Sequence, residues 1–216
     1  MSNLFVYDEN FLSAEETTRI KSIFNDLNFI AYKIRGKELK ARPKIEFAKD
    51  ASGLVYRWGQ QADYYDKGFT HFHPLLQALV DKIGDTGINH IIVTKYTNGC
   101  VNHIPWHHDK QEGVPGAGAK DIKAGTKIYN VIVCDSPRRF QLADPDKIDN
   151  KTQDASEYAF DRDMPDGSLM TLTSEGNMQL KHRVPKDKAW TGLRYSIVLR
   201  TLKTADFQAT KKRKIS

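Results

Sequence analysis

Cysteine is scarce in this chain: Cys100 and Cys134 are the two in 216 residues. Two thiols make no disulfide framework, which excludes a small secreted scaffold stapled by bridges and favours a reducing compartment. Long apolar runs are missing as well. No window approaches the roughly 20 apolar residues that a membrane-spanning helix requires, and the mean hydropathy of −0.58 agrees. Residues Ser2 to Tyr7 show no basic leader, and no internal repeat suggests a solenoid or propeller. These absences predict a soluble intracellular monomer without a membrane partner.

What is abundant is charge, with a basic excess. The formal net charge of +6 and pI near 9.1 favour an anionic partner, of which nucleic acid, DNA or RNA, is the commonest for a basic soluble domain. The basic side chains Lys33, Arg35, Lys37, Lys40, Arg42 and Lys44 are interleaved with or followed by Phe47, Tyr56 and Trp58. Lys and Arg suit phosphates and aromatic rings suit unpaired bases, so residues 30–65 are read as a nucleotide-recognition lid. A solvated hairpin around Arg35-Gly36-Lys37 would give the same pattern. Lys211-Lys212-Arg213-Lys214 forms a basic tail over 206–216, readable as a nuclear address or as a solvated end.

The length suits a single domain, taken as 1–205. Ser13-Ala14-Glu15-Glu16 is a capping-box pattern, with Ile20, Ile23, Phe24 and Leu27 at helical spacing behind it, so a helix is expected from Ala14 to Asn28. His73-Pro74 opens a second helix closed by Gly84. Strands are expected at 89–96, 127–133, 138–142 and 167–173, and again where Met178, Leu180, His182 and Val184 alternate with polar neighbours. Residues 144–163 read as an exposed acid-rich excursion with little chemistry. Two N-terminal helices followed by many short strands indicate an α+β chain, mainly β, built as a double-sheet jelly roll.

Chemistry concentrates at His107-His108-Asp109. On an extended backbone His107 and Asp109 point to one side and His108 to the other, so one imidazole and one carboxylate can meet a metal. The pair alone is weak, because 7 His and 27 acidic residues in 216 make roughly one such match expected by chance. His182 is the best second imidazole, since two His and one carboxylate leave positions open on a non-haem Fe(II). Further on, alternation puts Arg194, Ser196, Val198 and Arg200 on one strand face and Tyr195, Ile197 and Leu199 on the other. Two inward guanidiniums require a partner, and a dicarboxylate cosubstrate would supply it through bidentate hydrogen bonds.

With Trp106-His107-His108-Asp109, Lys110-Gln111-Glu112, His182-Arg183-Val184-Pro185-Lys186 and Arg194-x-Ser196-x-x-x-Arg200-Thr201 in this order, the chain resembles the AlkB family of Fe(II)/2-oxoglutarate dioxygenases over residues 40 to 202. The resemblance implies a double-stranded β-helix with N-terminal covering helices. It implies Fe(II) on His107, Asp109 and His182, and O2 as oxidant. It also implies 2-oxoglutarate held by Thr94, Tyr96, Arg194, Ser196 and Arg200. The implied reaction demethylates alkylated bases in DNA or RNA, releasing succinate, carbon dioxide and formaldehyde, with Arg35, Lys37, Tyr56, Trp58, Tyr64, Trp106, Gln111, Arg138 and Arg139 toward substrate. Three positions depart from the family pattern: Ser196 and Thr94 stand where Asn is usual, and Gln111 where an acid often is. A hydroxylase of protein or small molecules is the main alternative. A hydrolytic zinc enzyme would not need the two arginines, and a binding module with a dead site would not need the ligands.

Overall fold

The computed structural model describes residues 4–29, 33–34, 37–38, 42–49, 65–66, 73–114 and 121–203. Thirteen strands and three α-helices are described. They run as β1 (Phe5–Asp8), α1 (Ala14–Asn25), β2 (Lys33–Ile34), β3 (Lys37–Glu38), β4 (Lys44–Ala48), β5 (Tyr65–Asp66), α2 (Pro74–Ile83), β6 (His90–Tyr96), β7 (Ile104–His107), β8 (Ile128–Cys134), β9 (Arg138–Ala143), β10 (Phe160–Met164), β11 (Leu169–Leu172), α3 (Ser174–Gln179), β12 (Lys181–Val184) and β13 (Arg194–Arg200).

The strands form a seven-stranded sheet in the order β1-β11-β8-β13-β6-β4-β5, a four-stranded sheet β10-β9-β12-β7, and the β2-β3 pair. The β4–β5 pairing is parallel and the other strand pairings are antiparallel. Two faces of the large sheet carry two different cores. On the outer face, Ile20 and Phe24 of α1 and Leu76, Leu79 and Val80 of α2 pack on Phe47, Ile91, Val93, Val131, Tyr195, Ile197 and Leu199. Between the sheets, Tyr96, Ile128, Ile132, Phe140, Leu142, Met170 and Val184 make the second core. This is the jelly roll with covering helices that the sequence predicts, and its two layers leave the space where the site is built. No helix among the described residues is long and apolar enough to cross a membrane.

Local chemistry explains most element ends. The capping box of α1 is complete, with Glu16 N–H donating to Ser13 Oγ and Ser13 N–H to Glu16 Oε2. The helix stops at Asn25 rather than Asn28, because the amide of Asp26 turns to the Ile23 carbonyl and tightens the last turn. Pro74 starts α2 under a His73 cap, and Gly84 ends it at φ 75°, a conformation that favours glycine.

Two expectations need correction. The alternating stretch around Met178 is not one strand: residues 174–179 form α3, capped by Thr173 Oγ1 on the Gly176 amide at 2.9 Å. The Thr173 cap favours a helical turn over the strand that the alternation suggests, and Gly176 allows the Leu4 carbonyl to approach where a Cβ would sit 1.9 Å away. Residues 144–163 are not an idle excursion either. They contain all but the last residue of β10, which pairs with β9, and they grip Arg183 through the Gln153 carbonyl and Asp154.

Candidate metal centre

The four-stranded sheet brings the two imidazoles together. His182 of β12 stands opposite His107 of β7 in register, and their ring centroids lie 4.1 Å apart. Asp109 follows β7 by two residues, and the ligand atoms of His107, Asp109 and His182 all lie within 4.8 Å of one another. His107 Nδ1 lies 2.9 Å from the Pro105 carbonyl, which can only accept, so Nδ1 carries the proton and Nε2 is left with its lone pair. His182 is buried, and its Nδ1 has no hydrogen-bond partner among the described residues.

Asp109 is set in place by a residue that sequence reading missed. Asn177 of α3, fully buried, accepts from the Asp109 amide at 2.9 Å and donates back to the Asp109 carbonyl at 3.0 Å. Its own carbonyl lies 2.7 Å from His108 Nδ1, so His108 is tied toward α3 while still contributing to the cavity wall. No signal marked Asn177, because its segment reads as a strand.

Burial pushes the His182 pKa down to about 3, with the neighbouring His107 adding to the effect, and burial lowers that of His107 too. For Asp109, burial would raise the pKa, but the electrostatic influence of His182, Arg200, His107 and Lys44 outweighs it and keeps the carboxyl below its ordinary value. Two neutral imidazoles and one carboxylate are what a divalent metal needs from its ligands. The donor set therefore fits a non-haem metal with open positions.

The three residues line a cavity of about 310 Å³ between the sheets. Its wall is otherwise rich in cations: Arg42, Lys44, Lys110 and Arg200, against Asp109 and Asp121. Burial holds Lys44 down at about 8. Thr94, Tyr96 and Ser196 also reach this wall, and Ser196 Oγ donates to Asn130 Oδ1 at 2.7 Å. Lys44 and Asn130 had no assigned role at the metal. Asn130 was findable, because it interrupts an apolar central strand on the same face as Ile128 and Ile132.

Arg194 is fully buried behind that wall, its guanidinium 4.8 Å from the Tyr96 ring centre. Burial pushes its pKa down, and Tyr96 and Cys134 pull the other way. Tyr96 is near enough to favour the charged form without a hydrogen bond of good geometry, and all three guanidinium nitrogens lack such a partner among the described residues.

Several expected substrate residues do not reach the cavity. Gln111 is wholly buried, with Nε2 donating to the carbonyls of Lys123 and Thr126 at 3.0 and 2.8 Å, so it ties the loop rather than facing a base. Arg138 is buried on the Trp190 ring and donates to the Gly99 and Pro185 carbonyls. Arg139 is exposed and forks onto Asp161 at 2.6 and 2.8 Å. Trp106 donates from its indole to the Gln153 carbonyl, stacks on Tyr158, and lies under the Arg183 guanidinium. Arg35, Tyr56, Trp58 and Tyr64 lie outside the described residues, as does the basic tail, and Lys37 is described only as a backbone partner of Ile34.

No protein-family model matches the chain, and no curated protein matches it in sequence. Solved structures do match. A prolyl hydroxylase in complex with a hypoxia inducible factor oxygen degradation domain peptide fragment, from Trichoplax adhaerens, aligns with TM-score 0.51 at 14% identity over 100% of this chain and 89% of its own. A 2OG-Fe(II) oxygenase family oxidoreductase from Burkholderia pseudomallei gives 0.53 at 12% over 95% and 89%. The AlkB homologue OsALKBH1 gives 0.57 at 12% over 93% and 99%. At such identities the likeness is one of architecture, and the chain has the jelly-roll fold of the 2-oxoglutarate Fe(II) oxygenases.

Proposed function

We propose that this chain is an Fe(II)- and 2-oxoglutarate-dependent dioxygenase that oxidatively demethylates alkylated bases in DNA or RNA. The observation that carries the reading is the convergence of His107, Asp109 and His182 in one cavity whose wall also holds Arg200 and Lys44. His107 Nε2, the Asp109 carboxylate and His182 would hold the metal. Arg200, with Arg194, Thr94, Tyr96 and Ser196, would hold the cosubstrate, since guanidiniums match carboxylates in a fork that an ammonium cannot reproduce. When bound, Fe(II), 2-oxoglutarate and O2 supply an oxidant for an inert C–H bond; the products are succinate, carbon dioxide and, from an N-methyl group, formaldehyde.

The chain's own residues prepare that chemistry. The Pro105 carbonyl fixes the tautomer of His107, and Asn177 fixes Asp109. Arg42 and Lys110 at the cavity wall suit phosphate contacts. A stacked base cannot enter such a cavity, so the substrate is met single-stranded or flipped out.

A second reading has its own support: the prolyl hydroxylase neighbour bound a peptide on the same fold. Both readings share metal and cosubstrate. Nucleoside mass spectrometry after incubation with a panel of methylated DNA and RNA separates them. Loss of methyl groups coupled to succinate supports the first. Succinate release coupled only to a peptide or small molecule moves the assignment to the second.

A further inference from the structure

Glu46, His90 and Arg200 form a buried chain that leads to the cavity. All three lie on the inner face of the large sheet, on β4, β6 and β13, and His90 pairs in register with Ala48 on one side and Arg200 on the other. They are 4%, 0% and 5% exposed, in an interior where ionisable groups are rarely found unless partnered. Arg200 Nε donates to His90 Nδ1 at 3.2 Å, and His90 Nε2 lies 3.3 Å from Glu46 Oε2.

The direction of these bonds follows from what each group can do. A guanidinium has donors only, so Nδ1 must offer its lone pair. The ring proton is then on Nε2, where the carboxylate can only accept. Both ends agree on one tautomer of a neutral imidazole, and burial, with Glu46 opposing and Arg200 assisting, keeps the His90 pKa down at about 4. The imidazole thus bridges the Glu46 and Arg200 charges and fixes the guanidinium by its Nε edge. Arg200 also lines the cavity that holds Asp109 and His182.

We propose that Glu46 and His90 are positioning residues for the anion site: they hold the Arg200 guanidinium in the orientation that receives a carboxylate of 2-oxoglutarate beside the metal ligands. This rests on the function proposed above. A role in folding alone would lower the melting temperature and leave the affinity for the cosubstrate unchanged in any variant that folds, which separates the two roles.

The test is calorimetric titration of 2-oxoglutarate into the full chain loaded with Mn(II) under anaerobic conditions, with a thermal melt of each variant. His90→Leu should weaken 2-oxoglutarate binding about tenfold, the scale of misaligning one charge-assisted hydrogen-bonded pair, and leave Mn(II) affinity within about twofold. His90→Gln keeps an acceptor for Arg200 and a donor for Glu46, and should return binding to within about threefold of the parent. Glu46→Gln retains the shape and loses the charge, and should fall between them. Should His90→Leu not fold, Glu46→Gln decides, together with the ring nitrogen shifts of His90 in the parent protein, which should show the proton on Nε2. A proton on Nδ1, or unaltered affinity in folded Glu46→Gln and His90→Leu, overturns the inference and leaves the proposed function standing. A parent protein that binds Mn(II) but no 2-oxoglutarate overturns the function, and this inference with it.

Discussion

The two faces of the large sheet do opposite work with the same strands. On the outer face of β13, Tyr195, Ile197 and Leu199 are wholly buried under α1 and α2 in an apolar core. On the inner face Arg194, Ser196 and Arg200 are just as buried, yet they carry two guanidiniums and a hydroxyl. Burying hydrocarbon is favourable by about 25 cal/mol per Å², while burying a cation such as Arg194, whose guanidinium has no hydrogen-bond partner among the described residues, costs several kcal/mol. One face therefore supports the fold, and the other carries polar groups that cost stability and stand at or behind the cavity wall. The four-stranded sheet adds His107 and His182, the proposed metal ligands, to that inner side.

The largest effect should come from breaking the ligand set. His182→Ala should lower 2-oxoglutarate turnover by more than about a hundredfold, since even outer-shell metal partners are worth 10 to 100. Its fold should survive, because the change removes a ring whose Nδ1 has no partner among the described residues and forfeits only its contacts with His107 and Phe140. Turnover measured by succinate release beside a thermal melt checks both halves. Full turnover would remove His182 from the site.

The outer face should respond in the reverse sense. Tyr195→Ala removes an edge-to-face contact with Phe24 at 5.3 Å and the hydroxyl bond to Asn25 Oδ1 at 2.8 Å. It should cost about 3–5 kcal/mol by denaturant unfolding. Where the variant remains folded, its affinity for 2-oxoglutarate should be that of the parent.

Arg194→Met sharpens the contrast further. Replacing a buried guanidinium that lacks a hydrogen-bond partner among the described residues with a side chain of hydrocarbon character should leave stability unchanged or raise it by about 1–4 kcal/mol. The same change should raise the apparent Michaelis constant for 2-oxoglutarate. A variant that is less stable and still binds the cosubstrate normally would place Arg194 among the structural residues.

The smallest effect concerns Lys44 and pH. Burial lowers its pKa from the ordinary 10.5 to about 8, so the folded protein disfavours the charged amine. The penalty is absent above about 10.5, grows as pH falls, and is complete below about 8. In the metal-free, cosubstrate-free protein, Lys44→Met should therefore gain stability over the parent at pH 7, and the gain should shrink as pH rises toward 10. A difference that does not vary with pH would show that Lys44 ionises as it would in the unfolded chain.

Much of the fold was legible because its signals are local. The capping box at Ser13, the Pro74 start and Gly84 stop of α2, and the alternation in β13 each depend on residues within one element. The pairing of His107 with Asp109 was legible by the same period of two. The substrate side was legible far less well. Gln111, Arg138 and Arg139 have the chemistry to meet a base or phosphate, but loop carbonyls, an indole and a carboxylate engage them first.

By itself the sequence determined which residues share a face and which types could serve a metal and an anion, because side-chain direction along a strand is set by the backbone's own period. Only the tertiary structure decided which of them meet. Asn177 reaches Asp109 across 68 residues of chain, His90 reaches Glu46 across 44, and Arg200 reaches His90 across 110. Such contacts arise from sheet register and layer packing, and no local pattern encodes them; a polar residue in one strand becomes a positioning group only once its neighbours from distant segments close around it.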